Sequence, residues 1–310
     1  MSVVEKAEFS SDLYHPKHWP MWFGVGLMRL SLLLPLSWQM KIGRGIGRLV
    51  MKVAGGRTHT AKRNIDLCFP DMSHADKQQL LERTFEETGK AVFDTINAWW
   101  WSNERVQQHM TIKGTEHVSQ SLDNGKGVIL FAVHCLPLEM GARIFGQFAP
   151  GIGVYRPHNN PVMEYLQVKG RLRSNKGLVP KRDVRQMIRS LRSPDVIWYT
   201  ADQDFGRSSA VFIPFFGVPD AATITGATSL ARLGKANVVP FFVERNSDDK
   251  GYTLEIMPPL ENFPGDNETD DAIRGNQIVE QLINRNKAQY MWLHRRFKTR
   301  PTEDTPSLYD

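Results

Sequence analysis

Two residues of one short run have the types and spacing to do chemistry. The run reads VHCLPLEM and places His134 and Glu139 five residues apart, directly after the apolar stretch GVILFAV at 127–133. On a continuous helix, positions i and i+5 point about 140° apart. The two side chains therefore meet only if His134 lies in a turn and Glu139 in the helix that follows. Pro137 suits the first turn of that helix. A histidine held by a carboxylate keeps one tautomer and presents its other nitrogen as a base, able to take the proton of a hydroxyl. The same spacing also fits an ordinary strand-end histidine followed by a surface glutamate. No Gly-x-Ser-x-Gly elbow accompanies the pair, and Cys135, a sequence neighbour of His134 on a turn, reads as a small buried hydrophobe. The nine histidines are scattered, no His-Glu-x-x-His occurs, and the two cysteines form no Cys-x-x-Cys, so no metal is indicated. A Walker loop is absent, and GRGIGR at 43–48 has Arg48 where a dinucleotide fingerprint needs its third glycine.

Three further segments bring polar groups close to apolar runs: GVYRPHNN with Arg156, GRLRSNK with Arg171 and Arg173, and YTADQDFG with Asp202 and Asp204. Guanidinium groups grip phosphate or carboxylate in two-pronged fashion. An acid at a strand end can orient a base or an arginine. Taken singly, each arginine also fits a solvated surface position. Arg182, Arg185, Arg189 and Arg192 recur at helical spacing, a stripe that suits solvent, an acidic partner or lipid head groups.

These groups need a scaffold, and the apolar periodicity predicts one. Strands are expected at 127–133, 152–155, 196–201, 238–243 and 252–257, the last with the alternation of a half-exposed strand. Between them fall helices. Ser73 and Asp76 form a capping pair for one that runs through Leu81, Phe85, Val92 and Ile96 to Trp99, Trp100 and Trp101. Asn160-Pro161 opens another, and Met187 with Leu191 and Val279 with Ile283 mark two more. The alternation predicts an α/β fold with a largely parallel central sheet flanked by helices, whose ligands bind at the carboxyl ends of strands.

Hydrophobic residues make up 41% and charged residues 23% of the chain, which excludes a disordered or collagen-like protein. Only two cysteines point to a reducing compartment, and a net charge of +6 favours an anionic partner. The stretch WPMWFGVGLMRLSLLLPLSWQM at 19–40 carries one charge, Arg29, and is as long as the ~20 residues that cross a bilayer. Arg29 near its middle and Pro35 within it leave crossing, lying in the membrane plane, and burial as a core helix all open. A cleaved signal peptide fits less well, since no small-x-small site follows the apolar core. Lys41, Arg44, Arg48, Lys52, Arg57, Lys62 and Arg63 come next, a cationic run that belongs on the cytoplasmic side. The expected organisation is an N-terminal segment 1–40 with a hydrophobic membrane-anchoring helix, then a single cytoplasmic domain at 41–310.

The hydrophobic N-terminus, RNIDLCFP at 63–70, VHCLPLEMGAR, PGIGVYRPHNNP, GRLRSNK, TADQDFG and QYMWLHRRFKTRP together closely resemble the late acyltransferases of lipid A biosynthesis, the lauroyltransferase branch in particular. The resemblance covers nearly the whole chain. It implies a glycerolipid acyltransferase-like fold and transfer of a fatty acyl chain, lauroyl on this branch, from acyl carrier protein. The acceptor would be a hydroxyl on an acyl chain of the Kdo-bearing tetraacyl lipid A precursor. His134 and Glu139 match the family's catalytic pair, with Glu139 expected to hold the imidazole. Arg171 and Asp202 match residues the family uses for activity, and Arg156 lies in the Tyr-Arg-Pro element; all three are expected to bind substrate or to position a neighbour. No cofactor or metal is implied. The implied partners are acyl carrier protein, the lipid A precursor and inner-membrane lipids, with no nucleic acid, and the active site faces the cytoplasm from the bacterial inner membrane. Two other readings share the pair: a glycerophospholipid acyltransferase and a thioesterase. A third, a membrane-tethered lipid-binding module, needs no chemistry at all.

Overall fold

The run VILFA has no polar alternation, and all five residues are buried, as a strand covered on both faces must be. The surrounding architecture comes from a computed structural model that describes residues 3–310; Met1 and Ser2 of the expected N-terminal segment lie outside the described residues. The chain opens with helices α1 (Trp19–Ser31), α2 (Leu36–Val53), α3 (Gly55–Cys68), α4 (His74–Trp100) and the short α5 (Asn103–Gln107). Alternation then takes over with β1 (Met110–Lys113), α6 (Thr115–Asp123), β2 (Val128–Ala132), α7 (Leu138–Phe145) and β3 (Ile152–Tyr155). It continues through α8 (Pro161–Arg171), β4 (Gly177–Pro180), α9 (Val184–Arg192) and β5 (Val196–Thr200). Last come the pair β6 (Ala210–Phe215) and β7 (Val218–Ile224), α10 (Gly226–Gly234), β8 (Asn237–Arg245), β9 (Tyr252–Ile256) and α11 (Glu268–Arg285).

Seven strands form one sheet in the order β1-β9-β8-β2-β5-β3-β4. Neighbours from β8 through β4 pair in parallel, and β9 joins β8 antiparallel. The most apolar strand therefore sits at the centre, with Leu130 between Trp198 and Val239. The α/β class and largely parallel sheet agree with expectation. The four-residue edge strands β1 and β4 and the separate antiparallel hairpin β6–β7 were not legible in the sequence, because short edge pairings lack a clear period.

The N-terminal segment departs from the single helix expected over 19–40. Pro35 has no N–H to continue a helix and stands as the N-cap of α2, so the apolar stretch divides into two helices. No described helix is long and apolar enough to cross a membrane. Helix α2 runs through residue 40 and lies directly on α4. A Cβ on Gly47 would come within 1.9 Å of the Phe85 carbonyl oxygen, and one on Gly89 within 2.0 Å of that of Gly43. Gly43 and Gly47 of GRGIGR thus permit close contact between two helix backbones. Exposed on the outer side are Trp19, Phe23, Leu27 and Leu30 of α1 and Trp38, Ile42, Leu49 and Val53 of α2.

Candidate active site

The sheet register builds the centre of the site. Ala132 at the end of β2 lies opposite Thr200 at the end of β5. His134 and Asp202, each two residues further on, consequently emerge side by side. Asp202 Oδ1 lies 2.7 Å from His134 Nδ1, and Oδ2 accepts the His134 main-chain N–H at 3.0 Å. Asp202 is almost wholly buried, with 1% side-chain exposure against 20% for His134. Burial alone would raise its pKa, but attraction to His134 and the hydrogen bonds it accepts there outweigh that cost and hold the carboxyl below its ordinary value. An ionised carboxylate only accepts, so Nδ1 carries the ring proton and Nε2 keeps its lone pair. The Thr200 hydroxyl stands 3.2 Å from Nε2.

The C-terminal segment clamps the His134 loop. Leu136 N–H donates to the Gln289 carbonyl at 2.7 Å, and Met291 N–H to that of His134 at 3.1 Å. Asn64 of α3 donates in turn to the carbonyls of Trp292 and His294, at 2.6 and 2.7 Å. RNIDLCFP and QYMWLHRRFKTRP, far apart in the chain, thus form one support beneath the histidine. Cys135 is buried, and burial pushes its thiol up to about 12, which leaves it unreactive at neutral pH.

Glu139 occupies the first turn of α7 and His134 the preceding loop, the arrangement that a contact between the two would need. Its carboxylate, however, is bound elsewhere. Arg171 Nε donates to both oxygens, at 3.0 and 3.2 Å, Arg171 Nη2 adds a further bond, and Trp99 Nε1 donates to Oε2 at 3.0 Å. Burial opposes the charge on Glu139, but the attraction and hydrogen bonds of Arg171 and the bond from Trp99 prevail and lower its pKa. The expectation that Glu139 holds the imidazole is corrected here. Strand register brings Asp202 to His134, whereas Glu139 faces Arg171 at the end of α8. Arg173, two residues on, caps the end of α4 by donating to the Trp99 and Trp101 carbonyls at 3.0 and 2.7 Å.

Arg156 follows β3 directly, is exposed, and makes no ion pair among the described residues. No hydrogen bond or ion pair joins it to the His134–Asp202 pair among the described residues. Trp99, Thr200 and His294 were missed as parts of this region. His294 Nε2 is buried without a hydrogen-bond partner, and the ring's pKa is lowered by burial first and then by the Lys298 cation. A tryptophan at a helix end or a threonine at a strand end carries no pattern of its own. Only the tertiary contact gives either a role.

The family of bacterial lipid A biosynthesis acyltransferases matches residues 6–299. A lipid A biosynthesis acyltransferase of Haemophilus influenzae is 44% identical, with 98% of each chain covered. The lipid A biosynthesis lauroyltransferase of Escherichia coli K12 is 42% identical over 97% of this chain and 98% of its own. A palmitoleoyltransferase of the same pathway and strain is 36% identical over 99% of this chain and the whole of its own. A match over most of the length, joined to a paired histidine and carboxylate at the strand ends, makes this chain an acyltransferase of the bacterial lipid A biosynthesis family.

Proposed function

We propose that the protein transfers a fatty acyl chain, lauroyl by its likeness to the lauroyltransferase, from acyl carrier protein to a hydroxyl on an acyl chain of the Kdo-bearing tetraacyl lipid A precursor. The observation that carries the mechanism is the lone pair of His134 Nε2, which meets only the Thr200 hydroxyl at 3.2 Å, with Asp202 fixing Nδ1–H. The acceptor hydroxyl takes the place of the Thr200 hydroxyl at Nε2 and gives up its proton as its oxygen attacks the thioester carbonyl. The new C–O bond forms, the C–S bond breaks, and the proton passes from the imidazolium to the departing sulfur. Asp202 stabilises the imidazolium in between. Glu139 and Arg171 together tie α7 to α8. Neither an acyl-enzyme nor a cofactor is needed, and acyl carrier protein takes part as the bearer of the donor.

The acceptor is a membrane lipid, and the outer side of α1 and α2 supports work at a lipid surface. Trp19, Phe23, Leu27 and Leu30 fall at helical spacing, as do Trp38, Ile42, Leu49 and Val53, so each helix presents one apolar stripe to the outside. The two helices lie in the plane of the cytoplasmic leaflet of the inner membrane. The decisive assay offers the Kdo-bearing tetraacyl precursor with a panel of acyl carrier protein thioesters, beside glycerol 3-phosphate and water as rival acceptors. Transfer to the lipid A precursor, fastest from the lauroyl donor, is expected; transfer to glycerol 3-phosphate or water alone overturns the reading. Flotation with vesicles of anionic lipid tests the membrane face, and Phe23→Glu with Leu27→Glu is expected to abolish it.

A further inference from the structure

The register that joins His134 to Asp202 repeats two strands away. Tyr155 at the end of β3 lies opposite Pro180 at the end of β4, and the ladder extends one step further through Lys181 N–H to the Tyr155 carbonyl at 2.8 Å. Arg156 and Lys181, each one residue past its strand, therefore emerge together on the same edge of the sheet as His134. Strands lie ~4.8 Å apart. With the order β2-β5-β3-β4, these two cations stand about 10 and 14 Å across the edge from the base.

Two contacts gather more positive charge here. Lys181 Nζ sits 4.8 Å from the ring centre of Phe205, which is 45% exposed on the loop after β5. On the same loop, Asp204 accepts both the main-chain N–H and the hydroxyl of Thr299 at 2.8 Å, which ties Lys298 to it. Arg156, Lys181, Arg182 and Lys298 are all exposed, and none makes an ion pair among the described residues. The mutual repulsion is felt: burial first, and then the charges of Arg156, Arg182 and Lys298, push the Lys181 ammonium below its ordinary value. Arg171, by contrast, is already satisfied by Glu139 and offers little to an incoming anion.

Resting on the acyl-transfer reading, we propose that Arg156, Lys181, Arg182 and Lys298 form a phosphate-binding ledge that sets a phosphate ester of one substrate two to three strands along the sheet edge from His134, with Phe205 as its apolar floor. A phosphate monoester carries close to two negative charges and matches several unpaired cations better than a carboxylate does. Both proposed substrates contain phosphate: the sugar phosphates of the lipid acceptor are such monoesters, and the phosphopantetheine arm of the donor is a singly charged diester. The ledge fixes the reacting groups by their distant end.

The test compares full-length wild type, Lys181→Gln, Lys298→Gln, the double variant, and Lys126→Gln at the opposite edge of the sheet. KM for donor and for acceptor is measured separately. The double variant is expected to raise one KM about tenfold or more, with kcat at saturation changed far less. A raised acceptor KM assigns the phosphate to the lipid, and a raised donor KM assigns it to the pantetheine arm. Unchanged values for both, or a fall in kcat at unchanged KM, overturn the ledge. Thermal stabilisation by inorganic pyrophosphate gives a readout independent of transfer. If wild type acylates no lipid A precursor yet pyrophosphate stabilises it and not the double variant, the ledge stands and the acyl-transfer reading falls. If wild type neither transfers nor is stabilised, the ledge is overturned as well.

Discussion

Two buried carboxylates, Asp94 and Asp202, each hold a basic side chain, and they do so to opposite ends. Asp94 binds the Nε and Nη2 of Arg245, whose Nη1 binds Glu87; the Tyr252 hydroxyl adds a bond to Asp94 at 2.7 Å. The guanidinium is fully enclosed, and Gln289 occupies both the N–H and the carbonyl of the same residue at 2.9 Å. Nothing is left over for a ligand. Asp202 binds one nitrogen of His134 and leaves the other facing a hydroxyl at a partly open edge. A saturated buried pair locks α4 to β8, whereas a pair whose second nitrogen meets only a neighbouring hydroxyl can exchange a proton once a substrate hydroxyl takes that place. Charge alone does not mark an active site; a partner that a substrate can replace does.

The comparison is broken most sharply by removing the basic member of each pair. His134→Ala is expected to lower acyl transfer by about 10³–10⁴-fold while shifting the melting temperature by only a few degrees, measured by donor turnover and thermal unfolding. Arg245→Ala should reverse that pattern. It leaves Asp94 buried without its cation, which costs about 3–5 kcal/mol in urea unfolding, and activity is lost only with the fold. Stable, fully active Arg245→Ala would remove the distinction drawn here.

Asp202→Asn sharpens the comparison within the site. The amide can donate to Nδ1 and favour the wrong tautomer, so transfer is expected to fall by about 10²–10³-fold. Activity equal to wild type would show that the imidazole needs no anionic partner. The smallest expected effect is on acid stability at Glu139. Its folded pKa lies below the ordinary value of 4.5, so its contribution is fully present above that pH and is lost as pH falls through the lower folded value. The stability gap between wild type and Glu139→Gln should be widest at neutral pH and close in acid. A gap that widens below pH 4.5 would contradict the Arg171 pairing.

The linear order of residues was enough for the α/β class, the buried central strand, the Ser73 cap and the placing of His134 in a turn before Glu139. These rest on apolar periodicity and local hydrogen bonding, which act over a few residues. Recognisable motifs also pointed to His134, Glu139, Arg171 and Asp202 as one set. Which carboxylate meets the imidazole was decided by the fold, because the parallel register of β2 and β5 pairs residues 68 positions apart. The fold likewise seated Gly43 and Gly47 of α2 on α4, and joined RNIDLCFP to the C-terminal clamp. Spacing along a chain carries information over one or two turns of helix; contacts between strand ends depend on the order in which strands assemble, and only the assembled sheet holds that order.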